Sequence, residues 1–185
     1  MYVLIVVGVI LLLLVAFVIG IYNALIRLRN QADNSWSQID VQLKRRHDLI
    51  PNLVETAKGY MQHERGTFEA ITKARSQAMG AKTVPQAGQA EAALGQALSN
   101  FMLVVENYPD LKANQNFLAI QEELTSTENK IAFARQSYND QVLFFNNKIQ
   151  MFPSNIIAGM FNFGTRDFFE IENPAEKEVP KVSFN

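Results

Sequence analysis

Cysteine is absent from all 185 residues, which excludes a disulfide framework, a thiolate nucleophile and any zinc site built on sulfur. Histidine occurs only twice, and neither copy sits in a ligand pattern. The residue three before His47 is Lys44 and the one three before His63 is Tyr60, so the Glu-x-x-His pairs of a di-iron bundle are missing. "HERGT" lacks the second histidine of a zinc-protease helix. G-x-G-x-x-G, G-x-x-x-x-G-K-[ST] and G-x-S-x-G are also missing, which leaves nucleotide, cofactor and acyl-transfer chemistry without a handle. Surplus charge is lacking too: 17 basic and 18 acidic side chains leave a formal net charge of -1, no footprint for a nucleic-acid polyanion. The expectation is a protein with no cofactor, metal, small-molecule substrate or nucleic-acid partner, and not an enzyme.

Charge is missing altogether from residues 1–26. Tyr2–Tyr22, "YVLIVVGVILLLLVAFVIGIY", supplies 21 nearly all aliphatic residues, roughly 30 Å of helix and thus the thickness of a bilayer core. A cleaved signal peptide would carry a basic start, a shorter apolar stretch and a small-residue cleavage site, none of which is present. The lipid bilayer is therefore the expected partner of residues 2–22. Nothing basic precedes this span, whereas Arg27 and Arg29 follow it, with Lys44, Arg45 and Arg46 beyond. The positive-inside tendency places the N-terminus outside and the C-terminal domain in the cytoplasm.

Beyond the anchor there is no strand pattern. Apolar residues fall at three- and four-residue steps from Trp36 to Ala78, again from Pro85 to about Glu106, and most regularly from Phe117 to Phe152, which predicts long amphipathic helices. Pro51 predicts a kink near His47–Ile50. "MGAKTVP" and "NYPDLKAN" read as loops, with Pro85 in a first helical turn and Asn114 as an N-cap. Gly88 and Gly95 offer a strip for close packing. An unbroken first helix would overshoot its neighbour, so a turn near His63–Gly66 is expected. The fold class is all-α: an N-terminal transmembrane helix followed by an up-and-down antiparallel four-helix bundle, with three long helices as the alternative. The expected divisions are an anchor over 1–26, a bundle over 27–152 and an irregular, phenylalanine-rich tail over 153–185 with room for one short helix.

The densest charge lies in "KRRHDLIPNLVETAKGYMQHE". His47 and Asp48 are adjacent, hence about 100° apart on a helix and not facing each other, so His47 reads as a partly solvated histidine. Lys44, Arg45 and Arg46 are expected in salt bridges within the bundle or to another subunit, with Glu122, Glu123 and Glu128 as partners. Asp48 and Glu55 offer a complementary edge. Phe161, Phe163, Phe168 and Phe169 are too many to sit singly on a surface; they cap the bundle, join subunits or touch lipid. On that basis Arg46→Glu is expected to weaken self-association without loss of helix.

The run "YNALIRLRNQADNSWSQIDVQLKRRHDLIPNLVETAKGYMQHE", followed by "FPSNIIAGMF" and the closing "FFE" and "PKVSF" segments, strongly resembles the bacterial LemA family over nearly the whole chain. That resemblance implies a membrane-anchored four-helix bundle with no established enzymatic activity, in the bacterial inner membrane. Some family members resemble lipoproteins, with a cysteine near the position of Gly20 and the domain outside; this chain has none. The functional expectation is a non-catalytic scaffold that forms a homo-oligomer and organises or shapes the membrane. The alternative is a binding adaptor for another membrane protein, such as a membrane protease.

Overall fold

Helical periodicity carries through into the backbone. The computed structural model describes residues 1–170, and among these there are helices and no strand. They are α1 (Tyr2–Lys58), α2 (Arg65–Met79), α3 (Val84–Val105), the one-turn α4 (Pro109–Lys112), α5 (Gln115–Gln150) and α6 (Ser154–Met160). The all-α expectation holds, with the predicted N-terminal apolar helix, and the closing "PKVSF" motif lies outside the described residues. α1 is the one helix among the described residues long and apolar enough to cross a membrane.

The chain forms two units that divide it differently from the anchor, bundle and tail expected. Unit 1 takes Met1–Asp40 and Phe133–Phe168; unit 2 takes Val41–Ala132 and, among the described residues, Phe169 and Glu170. Both α1 and α5 are long enough to contribute one end to each unit.

Unit 2 contains four helical passes, from the last part of α1 through α2 and α3 to the first part of α5. Their apolar stripes meet in one core that includes Leu53, Met61, Ile71, Leu94, Phe101 and Phe117. The first reversal falls at residues 59–64, slightly before the expected His63–Gly66. Tyr60 and Met61 N–H both return to the Ala57 carbonyl, at 2.9 and 3.0 Å, closing the helix at Gly59, a weak helix former, and letting Met61 enter the core. The other reversals use the expected signals. Thr83 caps α3, accepting from Gln86 N–H at 3.4 Å, with Pro85 in the first turn. Asn114 caps α5, accepting from Phe117 N–H at 3.0 Å. Thr127, polar within an apolar seam, is satisfied by donating to the Glu123 carbonyl one turn back at 2.8 Å.

In unit 1, Ile21 and Leu25 of α1 pack with Phe145 of α5 and Ile157 and Ala158 of α6. Asn162 stops α6. Its φ of 53° is the left-handed value that asparagine tolerates, and Phe163 N–H returns to the Ala158 carbonyl at 2.9 Å, as in a Schellman cap. That reversal places Phe163 against Tyr22 and Phe145, with ring centroids 5.8 and 6.4 Å away. The following chain is fastened along α5: Asn146 donates to the Arg166 carbonyl and accepts from its N–H, both at 2.9 Å. Tyr138 donates to the Asp167 carbonyl at 2.9 Å, and Arg166 pairs with Asp33 at 2.6 Å. Burial raises the Tyr138 phenol above the ordinary tyrosine value, with Arg166 acting in the opposite direction.

Candidate functional site

The "KRRHDLIPN" run lies on α1 in unit 2, and helical geometry distributes its side chains around the axis. Lys44 and Asp48 are exposed. Arg45, half-exposed, forms an ion pair with Glu123. Arg46 and His47 turn inward, 6% and 7% exposed, toward the one charged residue that α3 carries, Glu91. Arg46 Nη1 donates to Glu91 Oε2 at 3.2 Å. His47 Nε2 lies 2.6 Å from Glu91 Oε1; because an ionised carboxylate only accepts, Nε2 carries the proton in that bond. Arg46 Nη1 also reaches Glu128 Oε2 of α5 at 3.1 Å, so one guanidinium ties three helices together.

Two glycines of α3 lie near other parts of unit 2, and only one of them is required by close packing. A Cβ at Gly95 would stand 3.6 Å from Arg46 Nη2, an ordinary contact, whereas at Gly88 it would meet the Glu170 carbonyl oxygen at 2.1 Å. Gly88 is therefore the position where the Glu170 backbone lies directly against α3, and Phe169 is fully buried in unit 2. Beside Arg46 a groove of about 380 Å³ runs between α3 and α5, lined by Gly95, Leu98, Gln121 and Glu128 among others.

Pro51 adds the remaining link. Lacking an N–H, it frees the carbonyl four residues earlier, which belongs to His47. Arg75 of α2 takes that acceptor, its Nε donating at 2.7 Å. α1 continues through Pro51 to Lys58, and the proline becomes a place where α2 is bonded to α1.

Salt bridges within the bundle or to another subunit were expected for the basic triplet; within the chain, Glu123 pairs with Arg45 and Glu128 with Arg46. Glu122 stays exposed, and Glu91 was missed. His47 is buried and paired, which corrects the partly solvated reading: its partner comes from another helix, beyond the reach of any local rule. Arg46 lies inside unit 2 between Glu91 and Glu128, so charge reversal there would place three carboxylates together instead of probing an outer edge. Glu55 is exposed and pairs with Lys58 at 3.2 Å. Of the phenylalanines, Phe163 is partly buried beneath Arg29, whose guanidinium carbon is 5.6 Å from the ring centroid. Phe161 and Phe168 remain 50% and 37% exposed. Near the first reversal, Tyr108 donates to Glu64 at 2.9 Å, and that hydrogen bond, ahead of desolvation, raises its phenol pKa.

Chemically the cluster resembles a base with its orienting carboxylate, but every member faces another member, and the Glu91 side chain is 1% exposed. Its evident work is to hold α1, α3 and α5 in register. Among the described residues no group of three potential metal-ligating side chains converges.

A sequence-family model, the LemA family, matches residues 35–184. The chain belongs to the LemA family. It is 30% identical to Protein LemA of Metamycoplasma hominis over 160 residues, covering 83% of this chain and 72% of the relative. It is 24% identical to magnetosome protein MamQ 2 of Paramagnetospirillum magneticum over 180 residues, 83% of this chain and 66% of the other. Identity to magnetosome protein MamQ of Magnetospirillum gryphiswaldense is 25% over 191 residues, 88% and 70% of the two chains. The chain thus spans about two thirds or slightly more of these relatives' lengths, and none of their names is that of an enzyme. The LemA match takes in the ionic cluster and begins beyond the whole apolar N-terminal stretch.

Proposed function

We propose that this LemA-family chain is a non-catalytic helical scaffold, anchored in the bacterial cytoplasmic membrane with its domain in the cytoplasm, that self-associates into a homo-oligomer and organises the membrane around it. The observation that carries this reading is the closed ionic cluster: the most chemically capable side chains face one another, where a reacting molecule would have to displace buried ion pairs that cost several kcal/mol to break. Apolar side chains left in water beyond the anchor support association. Phe133 is 75% exposed, Leu103 68% and Val41 62%.

An adaptor reading has its own support. A groove of about 820 Å³ in unit 2 runs over Val54, Met61 and Phe68 and is flanked by Lys58, Arg65 and Lys73, dimensions and chemistry suited to an amphipathic acidic segment. Mass measurement of the full chain in mild detergent separates the two. A homogeneous homo-oligomer is expected; a monomer at all concentrations would favour the adaptor.

A further inference from the structure

α6 carries apolar side chains on both its buried and its exposed side. One face, with Ile157 and Ala158, is buried against Ile21 and Leu25 of α1 and Phe145 of α5. The other is uncovered: Ile156 is 53% exposed and Met160 69%. The corner leading into α6 continues that surface, with Met151 at 62% and Phe152 at 80%, and Phe161 follows at 50%. A patch of large apolar groups left uncovered beside a buried face marks an interaction surface.

The position of the patch identifies its cover. If Tyr2–Tyr22 spans the bilayer core, Tyr22 stands at its edge, where tyrosine is enriched at the headgroup level. The Tyr22 ring is the one on which Phe161 lies, with centroids 4.8 Å apart. Val18, Ile21, Tyr22, Leu25 and Leu28, the α1 residues of the unit 1 core, cover roughly 15 Å of helix across that edge at about 1.5 Å per residue. An interfacial amphipathic helix occupies a depth of about 5–10 Å at the same boundary. The uncovered face of α6 is therefore continuous with the lipid-facing surface of α1. Arg27, exposed, and Arg29, over Phe163, follow within two turns, at the height of anionic headgroups.

We infer that the α5–α6 corner is a second membrane contact, an interfacial foot whose exposed apolar side chains enter the headgroup and upper acyl region of the leaflet from which α1 emerges. This rests on the reading of α1 as a membrane span. The foot fixes the rotation and height of unit 1 at the surface, which a single anchor helix leaves free.

The absence of cysteine allows a direct test. Phe152→Cys and Met160→Cys, each carrying a small fluorophore, are placed in the full chain in phosphatidylcholine–phosphatidylglycerol vesicles containing nitroxide lipids. Val9→Cys and Gln77→Cys serve as core and aqueous controls. Both foot labels lose fluorescence more to nitroxides near the headgroup than to those near the chain end, independently of protein dilution. The Val9 label shows the opposite order, and the Gln77 label is not quenched. If Val9 is quenched and both foot positions are not, the foot is wrong. Protection of the foot labels that disappears on dilution with lipid would overturn it in favour of a second copy of the chain. An unquenched Val9 label would remove the anchor reading itself, and the foot with it.

Discussion

Glu91 is the only charged residue between Lys82 and Glu106, and it faces two nitrogen-bearing side chains on another helix. Ion pairs buried this deeply contribute little net stability when intact, because desolvation offsets attraction, but removing one partner strands the other. Glu91→Ala is therefore expected to destabilise unit 2 by about 3–5 kcal/mol, read as a lower midpoint in urea unfolding followed by circular dichroism. Joint replacement of Arg46, His47 and Glu91 by apolar residues of similar volume should come much closer to the parent. A triple variant as damaged as Glu91→Ala would mean that the cluster does more than hold helices. The clue to this site lay in the sequence as an isolated carboxylate in an otherwise uncharged, alanine-rich helix. Which residues it would meet did not, since His47 and Glu91 are 44 residues apart and only packing brings them together.

Pro51 shows the corresponding effect for a whole element. A proline within a helix removes one hydrogen bond, and its usual consequence is a kink or a break; here the freed His47 carbonyl is bonded by Arg75 instead. Arg75→Ala should cost about 1–3 kcal/mol, the penalty for an acceptor left without its partner. In a Pro51→Ala background the new N–H can reach the same carbonyl, so the loss from Arg75→Ala should shrink, with a coupling of about 0.5–3 kcal/mol in a double-mutant cycle. Strict additivity would show that the two groups act separately. Local signals located the other element ends well: Pro85, the Asn114 cap and both later loops follow from residue chemistry alone. The first reversal was read a few residues late because Met61, apolar and in phase, extends the helical stripe past Gly59 although it enters the core from a turn.

For the molecule as a whole, the anchor sets the topology. Arg27 and Arg29 follow the apolar span, and under the positive-inside tendency they favour the proposed cytoplasmic side for the domain. With no native cysteine, Asn185→Cys gives a single reporter: an impermeant maleimide should label it only after the cells are lysed. Labelling in intact cells would place the domain outside and reverse the assignment. The anchor also does more than hold the chain at the surface. Ile21, within the stretch read as membrane span, and Leu25, just beyond it, are 8% and 0% exposed in the core of unit 1, so the end of the apolar stretch is part of the folded domain.

The sequence by itself determined the class of the protein: a chargeless opening long enough for a bilayer, helical periodicity without strands, and caps and loops set by local chemistry. It also carried the family resemblance that the comparison bears out. These features depend on neighbours a few residues apart, whose interactions repeat wherever the pattern occurs. Only the tertiary structure decided which charges are buried and which apolar side chains are left uncovered. Arg45 and Arg46 are adjacent, yet one ends half-exposed and the other enclosed; Phe168 and Phe169 diverge in the same way. A rotation of about 100° per residue sets neighbours on different faces, and the value of each face depends on what the rest of the chain brings against it.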